Sequence, residues 1–235
     1  LGLLHEDNYG YLLQLDAGSV VAVDVPDGLR MLEILQDRDW QLMALLLTHT
    51  HHDHVRHLED LLDRTGCDFY FPGNAGGLPP GRGVSDCEVL DIHGQRVEVI
   101  ETSGHSELDL SYWFSDLDVC FCGDTLFAWG CGRMFAGPPA RFWQSLCRLR
   151  ALPPETRLCC GHDYATDNLR FMGKHFPDQP LPAIEAGEMP VLLKQQRAEN
   201  VFLRADDPAL AAALDLQGAD PVLVFKTLRD FRNQL

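Results

Sequence analysis

Two periods of apolar residues run along this chain, and the switches between them mark its elements. Tyr9 to Leu15 and Ser19 to Val25 read as strands, joined by a turn at Asp16-Ala17-Gly18. Leu29, Leu32 and Leu35 then recur at helical spacing behind Pro26-Asp27-Gly28. Leu42 to Leu47 is wholly apolar, the pattern of a strand buried on both faces, and it runs straight into Thr48-His49-Thr50-His51-His52-Asp53-His54. Val55, Leu58, Leu61 and Leu62 predict a helix that Gly66 can cap, followed by a strand from Cys67 to Phe71 and a Gly/Pro-rich loop from Pro72 to Gly83.

The pattern then becomes hairpin-like. Val89-Leu90-Asp91 and Val97 to Ile100 flank a tight turn at His93-Gly94-Gln95, and Leu110 to Phe114 and Val119 to Phe121 are further short strands. A helix carrying Phe142, Leu146 and Leu149 leads to a strand from Arg157 to Cys160. Beyond Gly161 the chain reads as helical, through Asn168 to His175, Val191 to Asn200, Pro208 to Leu216 and a last helix from Pro221. Strand-rich halves with interposed helices predict a layered α/β core over residues 1–165 and a helical appendage over 166–235.

Composition changes this picture in one respect. The 235 residues are 46% hydrophobic and 23% charged, ordinary for a folded chain that buries a large core. The charge is not ordinary: 19 Lys+Arg against 35 Asp+Glu give a net −16, which repels phosphate backbones and anionic membranes. Neither nucleic acid nor membrane is therefore an expected partner. No apolar run approaches the ~18–20 residues of a membrane span, and no basic segment with a cleavage site precedes the first strand. The 8 cysteines show no CxxC pair and read as reduced thiols packed as small hydrophobes. These features together predict a cytoplasmic location.

The chemistry gathers after the apolar strand. His49, His51, Asp53 and His54 fall within a six-residue run, and strand alternation lets His49 and His51 converge on one metal ion. Asp53 and His54, past the turn, can point at a second. Three more candidates follow strands and stand beside glycine: His105 in Thr102-Ser103-Gly104-His105, Asp124 in Gly123-Asp124-Thr125, and His162 in Gly161-His162-Asp163-Tyr164. The seven suffice for two ions sharing one carboxylate. Imidazole and carboxylate together suit zinc, iron or manganese. His52 and His57 are read as exposed or supporting.

The His49-x-His51-x-Asp53-His54 run, with His105, Asp124 and His162 in order, resembles the metallo-β-lactamase superfamily. More narrowly the chain resembles glyoxalase II, the hydroxyacylglutathione hydrolases, over nearly its whole length. The segments that carry this are Asp7-Asn8-Tyr9, Phe121 to Phe127, Gly130-Cys131-Gly132-Arg133, Gly161 to Tyr164, Asn168-Leu169-Arg170-Phe171 and Asn200 to Arg204. The resemblance implies a four-layer αββα sandwich followed by a helical domain that helps bind glutathione. It implies two divalent ions, zinc first, with His49, His51 and His105 on one, Asp53, His54 and His162 on the other, and Asp124 bridging. It implies hydrolysis of S-D-lactoylglutathione by a metal-bridging hydroxide that Asp53 helps to orient, in a monomer. Arg133, Phe135, Tyr164, Arg229 and Arg232 match the positions that bind glutathione.

Three segments depart from the family pattern. Arg56-His57 stand where Gly-Gly is usual, Leu108-Asp109 where Gly-His is usual, and Ala136-Gly137-Pro138-Pro139 where Glu-Gly-Thr is usual. A second activity shares the fold: persulfide dioxygenases hold one iron on two His and an Asp, here His49, His105 and Asp124. The long basic C-terminal segment and Asn168 to Phe171 favour the hydrolase.

Overall fold

Strands that are apolar on alternate sides must be covered on both, and this chain achieves that with two sheets and two outer helical layers. A computed structural model describes residues 2–177 and 189–234. β1 (Gly2–His5), β2 (Asn8–Gln14) and β3 (Ser19–Val23) pair antiparallel as a meander. The chain then crosses through α1 (Gly28–Asp37) to β4 (Gln41–Leu46) and through α2 (Leu58–Thr65) to β5 (Asp68–Pro72), each parallel to its neighbour. β6 (Arg82–Val84) closes this six-stranded sheet, whose order is β1-β2-β3-β4-β5-β6.

The second half repeats the scheme. β7 (Val89–Ile92), β8 (Gln95–Glu101), β9 (Leu110–Phe114) and β10 (Val119–Gly123) form an antiparallel run. Two short strands, β11 (Leu126–Phe127) and β12 (Gly130–Cys131), make a separate hairpin. After α3 (Pro139–Arg150), β13 (Arg157–Cys160) returns parallel to β10. Helices α4 (Ala165–His175), α5 (Leu193–Glu199), α6 (Pro208–Ala213) and α7 (Pro221–Arg232) complete the described chain.

Side-chain parity shows the four layers. Val21, Val23, Ala44 and Leu46 point between the sheets, where they meet Val97, Val99, Tyr112, Phe114 and Phe121. Their neighbours Val20, Ala22, Leu45 and Leu47 point outward onto Met31, Leu35 and Leu61 of α1 and α2. That double burial is why Leu42 to Leu47 carries no polar residue. On the far side Cys120, Cys122, Leu158 and Cys160 pack with Phe142 and Leu146 of α3, and with Phe171, Phe202 and Phe225 from the later helices. All 8 cysteines are unpaired, and Cys120, Cys122, Cys131, Cys159 and Cys160 are buried as small apolar groups.

Local chemistry sets the helix ends. Asp27 accepts from the amides of Leu29 and Arg30 and starts α1, while Gly66, at φ +63°, ends α2 as the sequence predicts. Some expectations need correction. Val191 to Asn200 is not one helix: β14 (Val191–Leu192) first pairs with β13, because Leu158 and Arg157 offer an open sheet edge. The helix expected from Val55 begins at Leu58, since His52–His54 form a separate 3₁₀ turn. The loop from Pro72 to Gly83 ends in strand β6, whose exposed Arg82 and Gly83 carry little hydrophobic signal. Among the described residues no helix is long and apolar enough to cross a membrane.

Candidate metal centre

The histidine-rich run begins where sheet pairing stops. β4 ends at Leu46, so His49 and His51 are brought together by a loop and the 3₁₀ turn behind it, with His54 N–H on the His51 carbonyl at 2.9 Å, and not by strand alternation. His105 follows β8, Asp124 follows β10 and His162 follows β13, so four chain segments meet over the ends of the two sheets. Glycines make the approach possible: a Cβ on Gly161 would strike Asp124 Oδ1, and one on Gly132 would strike the Asp124 carbonyl.

Two clusters result. His49, His51 and His105 converge in one, Asp53, His54 and His162 in another, and His49, His54 and Asp124 lie between them. Asp124 reaches both, with Oδ2 at 3.4 Å from His105 Nε2 and 3.2 Å from His162 Nε2, and Oδ1 at 3.3 Å from His54 Nε2. Asp53 Oδ2 lies 3.3 Å from His162 Nε2.

The outward nitrogens are already engaged, which fixes the tautomers. His49 Nδ1 donates to Thr48 Oγ1 at 3.0 Å, His54 Nδ1 to Asp24 Oδ2 at 2.9 Å, and His105 Nδ1 to the Arg133 carbonyl at 3.1 Å. The Nε2 atoms of His49 and His105 therefore present lone pairs, at 3.1 and 2.9 Å from His51 Nδ1. One proton on His51 can satisfy only one of them; a cation can accept all three. Among the described residues, His54 Nε2 and Asp124 Oδ1, which face each other at 3.3 Å, are buried with no hydrogen bond of good geometry. The residues fit a divalent metal, as the chemistry of the donor set requires.

Electrostatics agree. Burial, with His54 beside it, holds His49 well below the ordinary imidazole range and so neutral. Burial would raise Asp124, but His54 and His162 hold it anionic, well below the carboxylate range. The hydrogen bond from His162 keeps Asp53 low. Burial works against a proton on His162, yet Asp124 and Asp53 push its pKa up to about 9. The same field that favours a proton there favours a metal ion.

A cavity of about 550 Å³ opens from the cluster, lined on the far side by Arg133, Phe135, Tyr164, Arg229 and Arg232. Tyr164 stacks flat on His162, centroids 4.8 Å apart. Phe135 is 66% exposed, with its ring 5.3 Å from that of His105. Arg232 donates through Nε to Asn168 Oδ1 at 3.1 Å. Arg229 is buried, and donates to the Cys131 carbonyl at 2.8 Å and to Asn233 Oδ1 at 2.6 Å. Among the described residues, Arg133, Arg229 and Arg232 form no ion pair with a carboxylate.

Sequence reasoning missed three supporting residues. Asp24, buried at the end of β3, accepts from the Thr48 amide and hydroxyl and from His54, so it ties both ends of the histidine run. The sequence pattern places it within the strand Ser19 to Val25, whereas β3 ends at Val23 and leaves Asp24 at a strand end like the other candidates. Asn8 donates to the Asp53 carbonyl and to Oδ2. Asp109, one of the departures, holds the turn around His105. At the other departure His57 adopts φ +56°, a conformation glycine takes freely, and the Arg56 amide donates to Val25 O.

Comparison with known proteins places this architecture. Residues 15–162 match the family model described as the metallo-beta-lactamase superfamily, and residues 163–235 that of the hydroxyacylglutathione hydrolase C-terminus. A hydroxyacylglutathione hydrolase of Rhodobacter capsulatus is 41% identical, over 95% of this chain and 93% of its own. One from Rhodopseudomonas palustris (strain BisA53) is 38% identical, over 97% and 95%. ETHE1 from Myxococcus xanthus, at 23% identity, shares the fold with a TM-score of 0.69 over 99% of this chain and 97% of that one. The chain belongs to the hydroxyacylglutathione hydrolase family of the metallo-β-lactamase superfamily.

Two outcomes are expected. Replacing Asp24 with Ala lowers metal affinity by about 10–100-fold, measured by chelator competition, because Thr48 and His54 lose their common acceptor; unchanged affinity would refute that role. Metal uptake by the metal-free protein near neutral pH releases protons, since His162 holds one up to about 9. Calorimetric titration in buffers of different ionisation enthalpy reads that release directly.

Proposed function

We propose that this protein hydrolyses glutathione thioesters of 2-hydroxy acids, S-D-lactoylglutathione first among them, to glutathione and the free acid. One observation carries the reading: a single cavity joins the His/Asp clusters to three arginines that, among the described residues, form no ion pair with a carboxylate. His49, His51 and His105 would hold one divalent ion and Asp53, His54 and His162 a second, with Asp124 shared. Zinc, iron and manganese all suit these donors. When bound there, such ions supply Lewis acidity that lowers the pKa of water and polarises a thioester carbonyl.

The chain's own groups do the rest. The Asp53 side chain is 45% exposed against 6% for Asp124, so of these two cavity-lining acids it is the more open one and orients the attacking water. Asn8 fixes that carboxylate from behind. Arg133 and Arg232 capture the carboxylates of glutathione, for which a planar guanidinium fork is suited. Arg229, with two of its nitrogens already donating, contributes by holding Cys131 and hence the segment that leads to Arg133. Tyr164 and Phe135 form the walls beside the reacting carbonyl. The dioxygenase reading would use His49, His105 and Asp124 and leaves the Asp53, His54 and His162 cluster without a role.

Purified protein supplied with zinc, iron or manganese is expected to release thiol from S-D-lactoylglutathione, to lose that activity with chelator and to regain it on metal return. Absence of thiol release from several acylglutathiones would overturn the assignment. Changing Arg133 and Arg232 together to Ala is expected to raise KM about ten-fold or more, the scale of lost charge-assisted hydrogen bonds, with bound metal unchanged. Steady-state kinetics and metal analysis on one sample read both quantities.

A further inference from the structure

The turn that carries His105 is built on a buried acid. Asp109 is 3% exposed, and its Oδ2 accepts from the amides of Gly104 at 3.1 Å and Ser106 at 2.6 Å. Its Oδ1 accepts from the Ser106 hydroxyl at 2.6 Å. Its own amide donates to Ser103 Oγ at 3.2 Å, and its carbonyl accepts from the Thr102 amide at 2.8 Å. The residues on both sides of His105 are thus held by one side chain.

The ends of the turn are tied to their surroundings, with Ser145 Oγ donating to the Ser103 carbonyl at 2.7 Å, Thr125 Oγ1 to the Thr102 carbonyl at 3.1 Å and Arg141 to the Glu107 carbonyl at 2.8 Å, but Asp109 is the side chain that holds both neighbours of His105. β8 ends at Glu101 and β9 starts at Leu110, so residues 102–109 lie outside the sheet. Gly104 sits at φ +140°, and a Cβ there would lie 2.6 Å from Phe142, so the backbone is pressed against α3 in a conformation that other residues rarely adopt. A carboxylate accepts all three donors at once; an amide keeps its oxygen on the two backbone N–H groups only with its N–H₂ toward the Ser106 hydroxyl, so Asp109→Asn loses the charged acceptor and reverses that bond.

We propose that Asp109 is the positioning residue for His105, gathering the turn so that its imidazole points at His51 and Asp124. It touches neither substrate nor the other candidate ligands, and its effect passes through His105 alone. The consequence for catalysis rests on the function proposed above; the positioning itself does not.

The test compares wild type with Asp109→Asn and Ser106→Ala, the second removing a single donor and leaving the acid in place. In the metal-free proteins, nitrogen-15 NMR of the imidazoles reads the His105 Nδ1–H that donates to Arg133. We expect a protected signal in wild type, loss of that protection in Asp109→Asn and a smaller change in Ser106→Ala. In the cobalt(II)-loaded proteins we expect Asp109→Asn to show an altered visible spectrum and affinity about ten-fold weaker. With thioester substrate, kcat is expected to fall about ten-fold with a smaller change in KM, since Tyr164 and Arg232 lie outside this turn and Arg133 meets it through its backbone carbonyl. An unchanged His105 signal in both variants would overturn the proposal, as would a wild-type cobalt spectrum in Asp109→Asn. Should wild type bind no cobalt while the His105 signal still responds to Asp109, the positioning stands and the metal-dependent function fails.

Discussion

A carboxylate buried beside imidazoles, with no lysine or arginine next to it, is the constraint on which this structure turns. Asp124 is 6% exposed, and its oxygens face His54, His105 and His162. An isolated buried carboxylate costs several kcal/mol or more, and three neutral imidazoles cannot offset that. The site therefore calls for positive charge, as protons or as metal. Everything around it is arranged to keep that demand local. Asp24 holds two residues of the histidine run, Gly132 and Gly161 let the backbone close in, and the two sheets bring their ends together over one point.

That arrangement explains how much was legible in the sequence. Leu42 to Leu47, apolar throughout, could only be a strand covered on both faces, and α1 and α2 cover one of them. The seven metal-ligand candidates were found because each follows a strand, the one rule that links chain position to the sheet ends. Asp24 obeys the same rule, but the apolar pattern runs on to Val25 and hides the end of β3 at Val23. Asn8 and Asp109 were not legible as supports. Their roles depend on contacts across 45 residues or on a turn whose shape only the fold defines. β14 escaped for a related reason: Val191 and Leu192 continue a helical pattern, and only the free edge of β13 turns them into strand.

The departures at Arg56-His57 and Leu108-Asp109 show two ways a backbone tolerates a missing glycine or histidine. His57 takes the left-handed conformation itself, at a cost of about 1 kcal/mol for a non-glycine residue, and the Arg56 amide to Val25 O and the Gly28 amide to Arg56 O hold the bend. Asp109 instead adds acceptors where the turn is rich in unpaired donors. In the first case strain is absorbed by neighbours; in the second it is relieved by chemistry. Both leave the imidazoles of His54 and His105 facing the cluster.

The net charge of −16 takes on a different meaning in this setting. Spread over the surface, it is screened within about 8–10 Å at physiological salt and governs long-range approach. Inside the cavity the balance is closer, because Asp53 and Asp124 face imidazoles, and Arg133, Arg229 and Arg232 line the wall with Asp167. Burial and then Arg229 lower the pKa of Arg232, and Asp167 works against that shift. An anion placed between two guanidinium groups would offset such repulsion. In so acidic a chain these three arginines are the cationic part of the cavity wall, and they adjoin the His/Asp clusters.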